Sequence, residues 1–158
     1  MSTVEERAQA VGIEDAYRAH RLALVRLAHL VGADREQAED VVQTAFASAQ
    51  PRWAAIDDPL AYLRRSVVNQ VRDHQRRRYR GQRARVVHDP GTEHVLPPEV
   101  DETWRHIGTL PWRQRAVVVL HYYEDLSLTE VAALLGRPAS TIRSDHRRAL
   151  DRLRKTLA

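Results

Sequence analysis

Apolar positions along the chain recur three and four apart rather than in alternation, in blocks broken by Gly, Pro and Asp. That spacing lines one face of an α-helix and argues against half-buried strands. The first block runs from Ile13 to Val31. It carries Tyr17, Leu24, Leu27, Ala28 and Val31 on a broad face, with Leu22 and Val25 alongside and Gly32 as the stop. Asp34 with Gln37 three residues on forms a capping box for a second block, Arg35 to Ala49, whose stripe is Ala38, Val41, Val42, Ala45, Phe46 and Ala49. Pro51 to Asp57 reads as a loop. Asp58 then caps a long helix opened by Pro59, PLAYLRRSVVNQVRDHQRRRYR, with Leu60, Leu63, Val67 and Val71 inward.

Helical spacing fails from Gly81 to Pro98, a stretch with Pro, Gly and scattered charge that reads as a linker. Met1 to Gly12 reads as a loose tail. A short helix follows Pro98 and ends by Thr109, with Val100, Trp104 and Ile107 inward. Pro111 opens another, apolar from Ala116 to Tyr123, and Trp104 and Trp112 read as core aromatics. Ser127 and Glu130 form a second capping box; Leu128, Val131, Ala132 and Leu135 follow at helical spacing, and Gly136 is the stop. The last helix opens at Pro138, with Ile142, His146, Ala149, Leu150 and Leu153 inward and Arg143, Ser144, Arg147, Arg148 and Asp151 elsewhere. The predicted fold is all-α: two small helical domains, residues 13–80 and 98–158, joined by a flexible linker over 81–97.

Charge sharpens this picture. The net charge of +4 conceals local asymmetry: Arg64 to Arg85 holds nine Arg and one acid, Asp73, whereas Asp34 to Asp58 holds six acids and two Arg. One surface should attract polyanions while another faces a basic partner. Arg65, Asn69, Arg72 and Arg76 fall at i, i+4, i+7 and i+11 on the long helix, a side suited to phosphates. On the second helix Glu36, Asp40, Gln43 and Ala47 share the outward face, flanked by Glu39 and Thr44; an ordinary solvated surface is the bland alternative. A short helix, a Gly-containing turn and a basic second helix make a helix-turn-helix pattern, whose bland counterpart is a hairpin with a solvated Arg face.

Other chemistry is missing from the sequence. Without cysteine there is no disulfide or thiolate metal site. His88 and His94 lack a third clustered ligand, so no metal is expected. There is no Gly-rich phosphate loop, GxSxG or HExxH, so neither catalytic residues nor a cofactor are expected, and the chain reads as no enzyme. It has no apolar signal core and no span-length apolar run, which predicts no membrane insertion and a cytoplasmic location.

LPWRQRAVVVLHYYEDLSLTEVAALLG followed by STIRSDHRRALDRLR resembles region 4 of bacterial RNA polymerase sigma factors, in the sigma-70 family's extracytoplasmic-function group, and most resembles its actinobacterial sigma-E-type branch. AEDVVQTAF resembles region 2.2, and DPLAYLRRSVVNQVRDHQRRR regions 2.3 to 2.4. The resemblance covers roughly residues 13–80 and 98–155, with both blocks in the family's order. It implies a subunit that binds core polymerase, at the β′ clamp helices and the β flap, and directs promoter-specific initiation. Glu39, Asp40, Gln43 and Thr44 would meet the core, Thr44 standing where the pattern usually has an acid. Trp53, Tyr62, Arg65, Asn69, Arg72 and Arg76 would open and hold the −10 element as single strand, Trp53 reading equally well as a lid on the core. Ser140 and Thr141 would take −35 phosphates, and Arg143, Ser144, Arg147 and Arg148 would read its bases. The family's usual inhibitory partner is an anti-sigma factor; the sequence specifies none. The competing reading is a free-standing helix-turn-helix regulator, against which stand the acidic docking face and the lack of a dimerisation helix.

Overall fold

The computed structural model describes residues 11–84 and 102–157, with side chains over 11–78 and 105–157. The elements among them are helical. Three helices build the first bundle: α1 (Ile13–Leu30), α2 (Arg35–Ala49) and α3 (Pro59–Ala84), each packed on the other two. Their apolar stripes meet as spaced, with Leu24, Leu27, Val41, Val42, Leu63, Val67, Val68 and Val71 essentially buried. Tyr17 stands edge-on to Phe46 at 5.0 Å between ring centroids. Leu22, expected beside the apolar face of α1, instead points to solvent at 58% exposure.

Both capping boxes form. Asp34 accepts from the Gln37 backbone N–H at 2.8 Å, and the Gln37 side chain accepts from the Asp34 N–H at 3.4 Å. Gly32 breaks α1 at φ +115, and a Cβ there would lie 3.1 Å from Gln75 Nε2, which donates to the Gly32 carbonyl. Two boundaries differ from expectation. The stretch after α2 is a 3-10 turn (Gln50–Ala55) rather than a loop, because Pro51 sits at its start without needing a donor. The long helix passes Arg80 and runs through Gly81 to Ala84, since one isolated Gly costs a helix only about 1 kcal/mol. Of the predicted tail over Met1 to Gly12, residues 1–10 lie outside the described residues, as do 85–97 of the predicted linker with His88 and His94, Val100 and the side chain of Trp104.

The second bundle comprises α4 (Glu102–Ile107), α5 (Trp112–Val118), α6 (Leu128–Leu135) and α7 (Ala139–Leu157). α5 does not run on as regular helix through its apolar stretch. Val119–Tyr123 widens into a π turn, closed by the Glu124 N–H donating to the Val119 carbonyl at 3.2 Å. The widened turn leaves Tyr122 and Tyr123 exposed at 52% and 40% and swings Glu124 toward the first bundle. Ser127 Oγ accepts from the Glu130 N–H at 3.1 Å to start α6, and Gly136 ends it at φ +64, a left-handed position that suits glycine. On α7, Ile142 and Ala149 are buried as the pattern predicts, and Asp145 is buried beside them at 7% exposure. The buried apolar residues of both bundles join in one cluster, so the halves are docked.

Candidate functional site

Three groups of residues were singled out by sequence, and their surroundings differ. On α2, Asp40, Gln43 and Thr44 are exposed and share a face with Glu36 and Ala47. Glu39 sits at the edge of that face, where its carboxylate accepts from Arg21 of α1 at 2.6 Å. Hydrogen bonding and ion pairing with Glu39 raise the Arg21 pKa, at a side chain that keeps access to solvent. The pair therefore orients Glu39 more than it stabilises the bundle.

On α3 the predicted stripe is present but unevenly accessible. Arg65 and Arg76 are exposed, whereas Asn69 and Arg72 are half-buried. Asn69 Oδ1 is buried without a hydrogen-bond partner. Arg72 Nη1 donates to the Leu135 carbonyl at the end of α6, 3.1 Å away. Tyr62 packs half-buried against the core. Trp53 does too, and its indole N–H donates to the Val11 carbonyl at 2.9 Å. The Trp53 ring thus works as a lid joining the 3-10 turn to the start of α1.

The α6–turn–α7 unit is a helix-turn-helix. Ser140, Arg143, Arg147 and Arg148 are exposed on α7, with Thr141 and Ser144 half-buried between them. Ser144, Arg147, Arg148 and Asp151 line a shallow concavity along that face. The opposite side of α7 packs on α5 and α6. Below it, Tyr122 Oη and His146 Nε2 share a hydrogen bond at 2.9 Å, and the His121 and His146 rings lie 5.3 Å apart. Burial, then the neighbouring His121, lowers the His146 pKa.

Sequence reasoning missed the polar groups that tie the bundles together. Arg115 is 4% exposed and donates from Nε to the Leu30 carbonyl at 2.6 Å and from Nη2 to the His29 carbonyl at 3.1 Å. Burial pushes its pKa down to about 10, which leaves it protonated at neutral pH. One signal was available: Arg115 stands three and four residues before Val118 and Val119, inside the apolar stripe of α5. Arg64 Nε pairs with Glu124 Oε2 at 2.9 Å. The Glu124 pKa is raised, chiefly by burial, against the lowering influence of Arg64. Among the described residues no group of three or more His, Cys, Asp or Glu side chains could hold a metal ion. Nor is any helix long and apolar enough to cross a membrane.

A helix-turn-helix with an arginine-bearing second helix, carried beside a bundle that shows acids on one helix and arginines on another, defines a DNA-binding transcription protein with a second macromolecular partner. Comparison with known proteins narrows the class. Residues 16–81 match the model of sigma-70 region 2, and residues 107–155 match sigma-70, region 4. The RNA polymerase sigma-E factor of Streptomyces coelicolor is 36% identical, covering 94% of this chain and 88% of its own length. The extracytoplasmic-function RNA polymerase sigma factor SigM of Mycobacterium tuberculosis is 30% identical over 91% of this chain and 76% of its own. The solved structure of CnrH in complex with the cytosolic domain of CnrY has TM-score 0.62 at 26% identity, covering 96% of this chain and 93% of that one. The sigma factor RpoE in complex with the anti-sigma factor NepR from Bartonella quintana shares the fold, with TM-score 0.69 at 21% identity over 91% of this chain and 95% of that one. The chain belongs to the sigma-70 family, in its extracytoplasmic-function group. It is a sigma factor that binds core RNA polymerase and directs promoter-specific transcription initiation, a placement that favours the polymerase subunit over the free-standing regulator.

Proposed function

We propose that the work of this sigma factor divides between two surfaces, a core-binding face on α2 and a DNA face on α7, with α3 reading the −10 element between them. The observation that carries this is the separate exposure of Asp40, Gln43 and Thr44 on one bundle and of Arg143, Arg147 and Arg148 on the other. Asp40, Gln43 and Thr44 meet a basic helical surface of the core, with Glu39 held at the rim by Arg21. Arg65, Asn69, Arg72 and Arg76, with Trp53 and Tyr62 near the start of the helix, take the melted −10 strand. Arg143, Ser144, Arg147 and Arg148 contact −35 bases in the major groove, and Ser140 and Thr141 take phosphates near the α7 N-terminus.

The functional units are the first bundle, whose last helix runs on to Ala84, and residues 98–158, tethered by the stretch between them. Each tethered domain raises the other's local concentration at the promoter once the core sets their spacing. The chain supplies no catalytic group; the chemistry of initiation belongs to the polymerase, and the site of action is the cytoplasm. The solved complexes of CnrH and RpoE support an anti-sigma factor as a further partner.

Core retention tests this. Immobilised wild-type protein is expected to hold purified core RNA polymerase, and Asp40→Arg to hold at least tenfold less. That loss corresponds to about 1.4 kcal/mol, within reach of one reversed charge at an interface. Equal retention by both proteins would remove Asp40 and its face from the reading.

A further inference from the structure

One corner of the molecule gathers arginines from three elements. Arg72 of α3 donates to the Leu135 carbonyl at the end of α6. Gly136, at φ +64, turns the chain there, and Arg137 follows it at once. From the other side, Gln75 Nε2 and Trp112 Cδ1 both approach Gly32, standing 3.1 and 3.6 Å from the place a Cβ would take. Arg76 and Arg113 are the next residues along α3 and α5. Burial lowers the Arg137 pKa first; the charges of Arg113, Arg76 and Arg72 lower it further, and Asp145 pulls the other way. The Asp145 Oδ2 atom has no hydrogen-bond partner, and Asp73 Oδ1 lies 3.8 Å from Arg72 Nε, beyond hydrogen-bond reach. Among the described residues that meet here, four cations thus face two acids. Two N–H donors of this region, Arg72 Nε and Trp112 Nε1, are buried with no hydrogen-bond partner among the described residues. A bound ion is one of the few things that account for such groups in a folded protein.

We infer that Arg72, Arg76, Arg113 and Arg137 form a binding site for a compact polyphosphate anion, one with two or more phosphoryl groups joined through oxygen. A forked guanidinium takes two oxygens of a phosphate at once. Two arginines therefore use up one phosphate, and four call for linked phosphoryl groups. A nucleic-acid strand sets its phosphates apart by a sugar, whereas a polyphosphate delivers them together, as arginines around one corner require. Arg76 and Arg113 are exposed and give the anion its approach. Arg72 and Arg137 are half-buried, where salt screens their charge less. The site stands on these four side chains whether or not α3 takes the −10 strand. Where α3 does, anion and strand compete for Arg72 and Arg76.

Isothermal titration calorimetry on the full-length protein tests the site, with sodium tripolyphosphate as the probe and no divalent cation present. Wild type is expected to bind one tripolyphosphate per chain, at least tenfold more tightly than sulfate at matched ionic strength. Arg113→Gln and Arg137→Gln lie outside the −10 and −35 assignments. Each should weaken binding about fivefold or more while keeping native helical content. Arg154→Gln makes the same charge change where the side chain is 77% exposed, and should leave the affinity as it is. ATP is the second arm. Affinity equal to that of tripolyphosphate assigns the site to the phosphate chain alone, and tighter binding assigns it to a nucleoside polyphosphate.

Equal loss in all three variants would show a diffuse attraction to a basic protein and would overturn the site. Loss in none of them would place the anion elsewhere and overturn it as well, as would binding no tighter than that of sulfate. A poly(dT) strand that depends on Arg113 and Arg137 where tripolyphosphate does not would hand the same arginines to nucleic acid, and the polyphosphate reading would fall.

Discussion

His146 sits at the rim of the reading helix, with Tyr122 Oη at 2.9 Å and the ring of His121 at 5.3 Å. His121 donates from Nδ1 to the Leu126 carbonyl at 2.7 Å, which fixes its ring. Burial and that neighbour hold the His146 pKa below its ordinary 6.5. The unfolded chain therefore binds more protons at His146 than the native state does. This contribution to stability is complete above pH 6.5 and is lost as pH falls through the lower native value. Thermal unfolding between pH 7.5 and 5 should show a steeper acid-side drop in Tm for wild type than for His146→Gln. Parallel pH profiles would mean the ring is equally easy to protonate in both states.

At the scale of the element, α6 is the weak member of the helix-turn-helix. It spans eight residues, too few to persist in water without packing and caps. Ser127→Ala removes one of its two reciprocal capping bonds and should cost about 1 kcal/mol in chemical denaturation. Gly136→Ala should cost a similar amount, about 1 kcal/mol, for a different reason. Nothing lies within 4 Å of the added Cβ, so the whole cost is the left-handed backbone. Both variants should weaken −35 duplex binding while leaving core retention intact, because neither touches α2. Equal stability of Ser127→Ala and wild type would show that packing on α7 suffices.

These caps also show what a sequence makes legible. Asp34 with Gln37 and Ser127 with Glu130 are bonds closed within four residues, between side chains of distinctive type. The stripes of α2 and α3 were legible for the same reason, since helical geometry alone sets which residues share a face. Leu22 was misplaced because an apolar residue beside a stripe is not on it. Asp145 is polar yet buried, and its residue type gives no sign of that. Arg115 reaches acceptors 85 and 86 residues away, and those acceptors are backbone carbonyls, which carry no mark of residue type. Arg64 and Glu124 are two charges in a chain with 29% charged residues, so the pair stands out only once the fold brings it together. The α7 arginines were visible as a pattern; the engagement of Arg72 by α6 was not.

At the scale of the molecule, the question is whether two domains unfold as one. A helical unit of about 60 residues buries proportionally little surface and is only marginally stable alone. Here the buried apolar residues of the two bundles, Leu30, Val31 and Ala33 in the first and Leu110 and Ala116 to Leu120 in the second among them, belong to one cluster. Coupling of that kind merges two transitions when the shared contacts are worth as much as the weaker domain's own margin. The isolated wild-type chain should therefore give a single calorimetric endotherm. Arg115→Gln leaves the apolar contacts in place but exchanges two charge-assisted bonds, each worth about 1.5–3 kcal/mol, for at most one neutral bond. That loss is comparable to the small domain's whole stability, so the endotherm should split, with the second bundle melting first. A single endotherm displaced to lower temperature would instead assign the coupling to the apolar seam and leave the arginine as one contributor among many. The two outcomes differ in consequence: a polar clasp opens without exposing a core, whereas an apolar seam opens only when a partner covers what it uncovers.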